Sequence, residues 1–144
     1  MPGPESGGVL AMWHSYDVAG VHWVAIDTST DFPDAPEGTT GDSHMPWFPA
    51  GSFAPEGTYM AWLEADLAKA AAAVKAGSGT NFIVAYGHRP FEDLPAAHAS
   101  QLDALFVKYG VSFYFCGCVV SPLALTPPVY SAAPDAAATS VGAM

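Results

Sequence analysis

One imidazole and two thiols stand where this sequence could do chemistry. His88 lies in Tyr86-Gly87-His88-Arg89-Pro90, directly after the apolar run Asn81 to Tyr86, and Cys116-Gly117-Cys118 follows the apolar residues that begin at Val111. Both positions fall at the carboxyl end of a predicted strand, where α/β folds hold their ligands. If the two strands are neighbours, the His88 ring and the Cys118 thiolate make half of a zinc site. Cys116, two residues back on the same side of an extended strand, would add a third donor. Structural zinc takes four protein ligands, so this set supports at most a weak single-metal site completed by water. The alternative is a hydrogen-bonded turn histidine and two core cysteines. Elsewhere, His98 near the start of a predicted helix reads as solvent-facing, His22 as packing within a strand, and Asp17 as a strand-end residue rather than a base.

These groups need elements to hold them. Met12 to Asp17 and Val21 to Asp27 read as two strands around a short turn at Val18-Ala19-Gly20. The second strand is apolar on both faces, which places it inside a sheet. Asp31 to Gly57 is a long loop rich in Pro and Gly, holding His44, Trp47 and Phe48. Thr58 to Ala76 is a helix, because Tyr59, Trp62, Leu63, Leu67, Ala70 and Val74 form one stripe; Thr58 is its expected cap and Gly77 its stop. Asn81 to Tyr86 is a short strand. Pro95 to Tyr109 is a second helix, with Leu102, Leu105, Phe106 and Tyr109 inward and Gly110 as its stop. Val111 to Cys116 reads as a last, buried strand. The order β-β-loop-α-β-α-β predicts a layered α/β fold. Residues 1–9 read as loose, and residues 131–144 as a disordered tail rich in Ala and Pro.

Composition sets the outer limits. At 144 residues the chain fits one domain. Hydrophobic residues make up 51% and charged residues 12%, about half the usual charged share, which argues against intrinsic disorder and means that either the fold buries an unusual amount or some apolar surface meets a partner. A protein partner or self-association is expected. Four basic against 14 acidic residues give a net charge of −10, which disfavours nucleic acid and offers no basic cluster to an anionic membrane. No apolar run is long enough to span a bilayer. The first ten residues, MPGPESGGVL, lack the basic and apolar regions of a secretory signal. Two cysteines make no disulfide framework, so the compartment stays unassigned.

Several segments, taken together, carry a resemblance. Trp13-His14-Ser15-Tyr16-Asp17-Val18-Ala19-Gly20-Val21-His22-Trp23, with Ile26-Asp27-Thr28 and Asp31-Phe32 after it, resembles the W-Y-S-F-D-x-G-x-x-H-F…T-E-x-D-F stretch of purple acid phosphatases. Residues 60–67 (MAWLEADL) are similar to that family's LAWLEADL helix, and residues 83–90 (IVAYGHRP) to its IVxGHRP strand and loop. Residues 106–120 (FVKYGVSFYFCGCVV) are similar to FxKYGVDLYFAGHVH, and Pro128-Val129-Tyr130 to the PVY that trails it. The resemblance covers roughly residues 9–130 in collinear order, so residues 1–130 read as part of a purple acid phosphatase-like domain.

That family is a branch of the dinuclear metallophosphoesterases. The resemblance implies half of a β-sandwich flanked by helices, iron paired with a second divalent metal, and hydrolysis of phosphomonoesters at acidic pH. It also implies five ligand motifs. Nothing here resembles the first three, G-D-x-G, G-D-x-x-Y and G-N-H-E. The fourth, V-x-x-H, matches at His88, with Ala85 in place of its Val. The fifth, G-H-x-H, reads Gly117-Cys118-Val119-Val120, and Val120 has no donor atom. Without two metals no hydroxide is generated at ordinary pH. The expectation is therefore a non-catalytic scaffold or binding module, with no cofactor and a remnant metal position at His88 and Cys118. The alternative is the C-terminal part of an active acid phosphatase whose N-terminal metal-binding half is elsewhere.

Overall fold

The chain turns back on itself at Ala19 and Gly20, whose φ angles of 51° and 79° both lie in the left-handed region. A two-residue turn of this hand matches the twist of antiparallel strands. It sets the pairing of β1 (His14–Val18) with β2 (Val21–Ala25), so that Val18 faces Val21 and Asp17 faces His22. The computed structural model describes residues 12–35 and 53–117. The expected loose start, the tail and the aromatics Trp47 and Phe48 lie outside these residues.

Helix α1 (Thr58–Ala76) has the expected bounds. Tyr59, Leu63, Leu67 and Ala70 are its buried stripe, with Trp62 and Val74 on the flanks. Its start differs from the expectation: the capping position is Gly57, at φ 81°, and no side chain caps the helix. The Thr58 N–H already donates to the Pro55 carbonyl at 3.1 Å, so Thr58 enters as a helical residue rather than as the cap. At the other end Gly77 is left-handed, and the Ser78 N–H reaches back to the Ala73 carbonyl at 3.1 Å, a closing bond that satisfies an orphan carbonyl. Helix α2 (Ala96–Tyr109) stops the same way, with Gly110 at φ 69° and the Val111 N–H on the Phe106 carbonyl at 2.9 Å.

β3 (Phe82–Gly87) follows α1, and β4 (Phe113–Cys116) follows α2. The four-stranded sheet has the order β1-β2-β3-β4; only β1 is antiparallel to its neighbour. The order β-β-loop-α-β-α-β and the α/β class are as expected, with β2 an inner strand. The last strand is not buried as expected. β4 is an edge strand of the described sheet, and Phe113 and Phe115 stay 57% and 55% exposed.

Stepping from β2 to β3 to β4 in one direction requires two right-handed crossovers of the same sense, which put both helices on one face. That inner face carries Ser15, Val24, Ala85 and Tyr114 in one row across the sheet, and Asp17, His22 and Ile83 in the next. With α1, α2 and the buried side chains of Trp13 and Phe32 it makes one core. The outer face carries Tyr16, Trp23, Val84 and Phe113 in one row, flanked by His14, Ala25, Tyr86 and Phe115 and by Val18, Val21 and Phe82. No Asp, Glu, Lys or Arg lies on it, and among the described residues no helix covers it. No helix of the described residues is long and apolar enough to cross a membrane.

Candidate functional site

The parallel strands β2, β3 and β4 end side by side, and the residues just beyond them are Ile26-Asp27-Thr28, His88-Arg89 and Gly117. The backbone at His88 is firmly held. The Thr28 hydroxyl accepts the N–H of His88 at 3.1 Å and of Arg89 at 3.0 Å. The Tyr114 hydroxyl donates to the Arg89 carbonyl at 2.6 Å, and the Gly117 N–H lies 3.2 Å from the carbonyls of both Gly87 and His88. Gly87 is required by close approach: a Cβ there would sit 2.7 Å from the Tyr114 hydroxyl and 3.0 Å from Thr28 Cγ2. This clamp fixes the main chain while the His88 side chain stays exposed.

Beside it lies a buried acidic turn. Asp27 Oδ1 accepts the N–H groups of Ser29 and Thr30, both at 2.9 Å. The Thr30 hydroxyl is 2.6 Å from Asp27 Oδ2 and 2.7 Å from Asp31 Oδ2. One hydroxyl has one proton and can donate to only one of them. The second contact therefore calls for a protonated carboxyl. Burial pushes the Asp27 carboxyl up, against the opposing bonds from the Thr30 hydroxyl and the N–H groups of Ser29 and Thr30. Asp31 stands beside this turn. It also takes the N–H of Phe53 and of Ala54 at 2.9 Å, tying the return of the long loop to its departure.

Of the sequence-derived ligands, His88 sits at the end of β3, Cys116 is half-buried at the end of β4 in register with Gly87, and Cys118 lies outside the described residues. The strand ends at Cys116 and bends at Gly117. Among the described residues no group of three or more His, Cys, Asp and Glu is placed to hold a metal ion. The described donors therefore do not fit a pair of metals: His88 brings one nitrogen, and the oxygens of Asp27 are taken up by their own turn.

Two histidines behave differently from their sequence reading. His98 is not solvent-facing; it is 2% exposed, between Phe32 and Tyr59. The Asp27 backbone and the Gln101 side chain lie near its ring, yet neither nitrogen reaches hydrogen-bonding geometry, and burial pulls its pKa down to about 4. The helical spacing held this signal, since His98 is one turn before Leu102 on the stripe that reaches Phe106. His22 is buried as expected for packing, but it also bonds to two carboxylates, Asp17 and Asp66. Asp17 is at the end of β1 and is His22's partner. The two-residue turn predicts the first of these contacts, and Asp66, one turn from Leu63 and Ala70, predicts the second.

Comparison with known proteins places the chain among relatives of one kind. An acid phosphatase of Aspergillus ficuum is 31% identical to it over 144 aligned positions, covering 81% of this chain and 22% of that protein. Acid phosphatase A of Cryphonectria parasitica is 31% identical over 113 positions, covering 74% of this chain and 21% of that protein. A phosphate-repressible acid phosphatase of Aspergillus niger is 45% identical over 51 positions, 32% of this chain and 12% of that protein. No family model matches the chain, and no solved structure matches it. The chain is related to fungal acid phosphatases, and it spans about a fifth of the length of the first two.

Proposed function

We propose that this relative of acid phosphatases is a purple acid phosphatase-like module that does not hydrolyse phosphomonoesters by itself and serves as a non-catalytic scaffold or binding module. The observation that carries the reading is the poor donor set around His88. Metal-assisted hydrolysis needs ions that bind the phosphate oxygens and lower the pKa of a bound water. At the strand ends the described residues bring His88, Cys116 and the turn-bound Asp27, with no group of three or more His, Cys, Asp and Glu placed to hold a metal ion, and Val120 in the neighbouring sequence has no donor atom. A remnant single-metal position at His88 and Cys118 belongs to this reading and adds no hydrolytic chemistry.

The bare outer face supports the binding half of the reading. An aromatic and β-branched sheet face without charge matches another sheet face of the same kind, packed about 10 Å away. The partner assigned to it is a protein presenting such a face, and a second copy of this chain is one such protein. The share of the relatives' length that the chain spans favours one alternative: an acid phosphatase whose other ligands come from a separate stretch of polypeptide.

The test is hydrolysis of a chromogenic phosphomonoester by the purified chain at about pH 4–7, with iron, zinc or manganese added. No turnover above the metal-only control is expected. Metal-dependent turnover that disappears in His88→Ala would overturn the reading.

A further inference from the structure

Away from the strand ends, three side chains from three elements meet at the opposite end of the sheet. His22 on β2 has both ring nitrogens in contact: Nδ1 is 2.9 Å from Asp17 Oδ1 on β1, and Nε2 is 2.9 Å from Asp66 Oδ2 on α1. The other oxygen of Asp66 accepts the Ser15 hydroxyl at 2.7 Å. The residue of β3 in register with His22 is Ile83, which is apolar. The groups facing the ring are therefore Asp17 and Ser15 from β1, Asp66 from α1, and a hydrocarbon from β3. The His22 and Asp66 side chains are 7% and 13% exposed, while that of Asp17 is 67% exposed.

Ionised carboxylates only accept hydrogen bonds, and a neutral imidazole carries a single N–H. With one ring proton, one of the two 2.9 Å contacts would set lone pair against lone pair. Only the imidazolium donates at both ends. We propose that Asp17, His22 and Asp66 form a proton-operated clasp that fastens the β1–β2 hairpin to α1, closed while His22 holds both ring protons and opened at the Asp17 end when it loses one. Asp17 is the end that releases, because its carboxylate already reaches water and costs little to turn outward, whereas Asp66 is enclosed and keeps the remaining N–H. The strand that loosens is β1, the edge of the described sheet.

Burial alone would lower the His22 pKa, but the hydrogen bonds and charges of Asp66 and Asp17 outweigh it and the net shift is upward from 6.5. A histidine with a raised folded-state pKa gives stability that is fully present below about 6.5 and lost as the pH rises through the folded-state value. The clasp is thus closed in acid and opens toward alkaline pH.

The test is a histidine side-chain NMR titration of the full chain, with amide exchange along β1 followed in parallel. At pH 6.5 the assigned His22 ring should show protons on both nitrogens, with a midpoint above 6.5. Asp66→Asn should lower that midpoint by about one unit, a tenfold change in proton affinity. After correction for the intrinsic rate, exchange at Tyr16 and Val18 should quicken about tenfold across the transition, and should not do so in His22→Gln. A midpoint at or below 6.5, or a single-proton tautomer at pH 6.5, overturns the clasp. So does a midpoint that Asp66→Asn leaves unmoved. The wild-type titration decides the matter alone if either variant fails to fold.

Discussion

The imidazole of His98 lies flat on the ring of Phe32, with ring centroids 3.7 Å apart and planes 8° from parallel. The stack joins the second helix to the turn that follows β2, and it is sealed from water, since both residues are buried. An imidazolium there would be a charge without a carboxylate partner, so the ring stays neutral down to a pKa of about 4.

That depressed value sets an acid limit. Because the unfolded chain takes up its proton near 6.5 and the folded chain only near 4, the stability tied to neutral His98 is present above 6.5 and lost as the pH falls toward 4. The full loss is on the order of 3 kcal/mol. His98→Leu, which keeps an apolar body against Phe32, should lack this acid-side slope. Urea unfolding of both proteins at pH 4.5 and 6.5 checks it, and parallel curves would remove the assignment. Acid loosens the chain through His98 and alkali through His22, so stability should peak between the two transitions.

Gly87→Ala should destabilise the chain by about 1–3 kcal/mol, because the new methyl meets the Tyr114 hydroxyl at 2.7 Å. Combining it with Tyr114→Phe removes the obstructing oxygen but also the bond to the Arg89 carbonyl. The double variant should therefore lose less than the sum of the two single losses. A thermodynamic cycle by chemical denaturation measures this coupling, and strict additivity would show that the two groups do not collide.

Ala19 occupies a left-handed position that suits Asn or Gly. Ala19→Asn should raise stability by about 0.5–1 kcal/mol without altering the strand register. Thermal unfolding gives the magnitude, and an unchanged or lower midpoint would count against the turn geometry.

The outer face should decide association. Phe113→Ser with Phe115→Ser removes two of its most exposed rings. Light scattering should show the parent chain larger than a monomer, or binding a hydrophobic dye, and the double variant monomeric with weaker dye binding. A parent chain that is monomeric and does not bind dye would remove the interface.

Much of the frame was legible in the residues themselves. The bounds of α1 and the glycine stops of both helices follow from local rules, because a left-handed terminator and an apolar stripe are properties of a few neighbouring residues. The place of His88 at a strand end was legible for the same reason. Its surroundings were not: Thr28, in the turn after β2, and Tyr114, on β4, hold the chain there from 60 and 26 positions away.

What only the tertiary structure decided is which faces meet. The stripe containing His98 was present in the sequence, but its burial depends on Phe32 arriving from another part of the chain. The alternation of β4 could not say which side water would touch. Both answers come from the direction of the two crossovers, which send both helices to one side of the sheet. Local residue types set each element's preference, and the handedness of the connections decides which apolar faces are covered and which are left open.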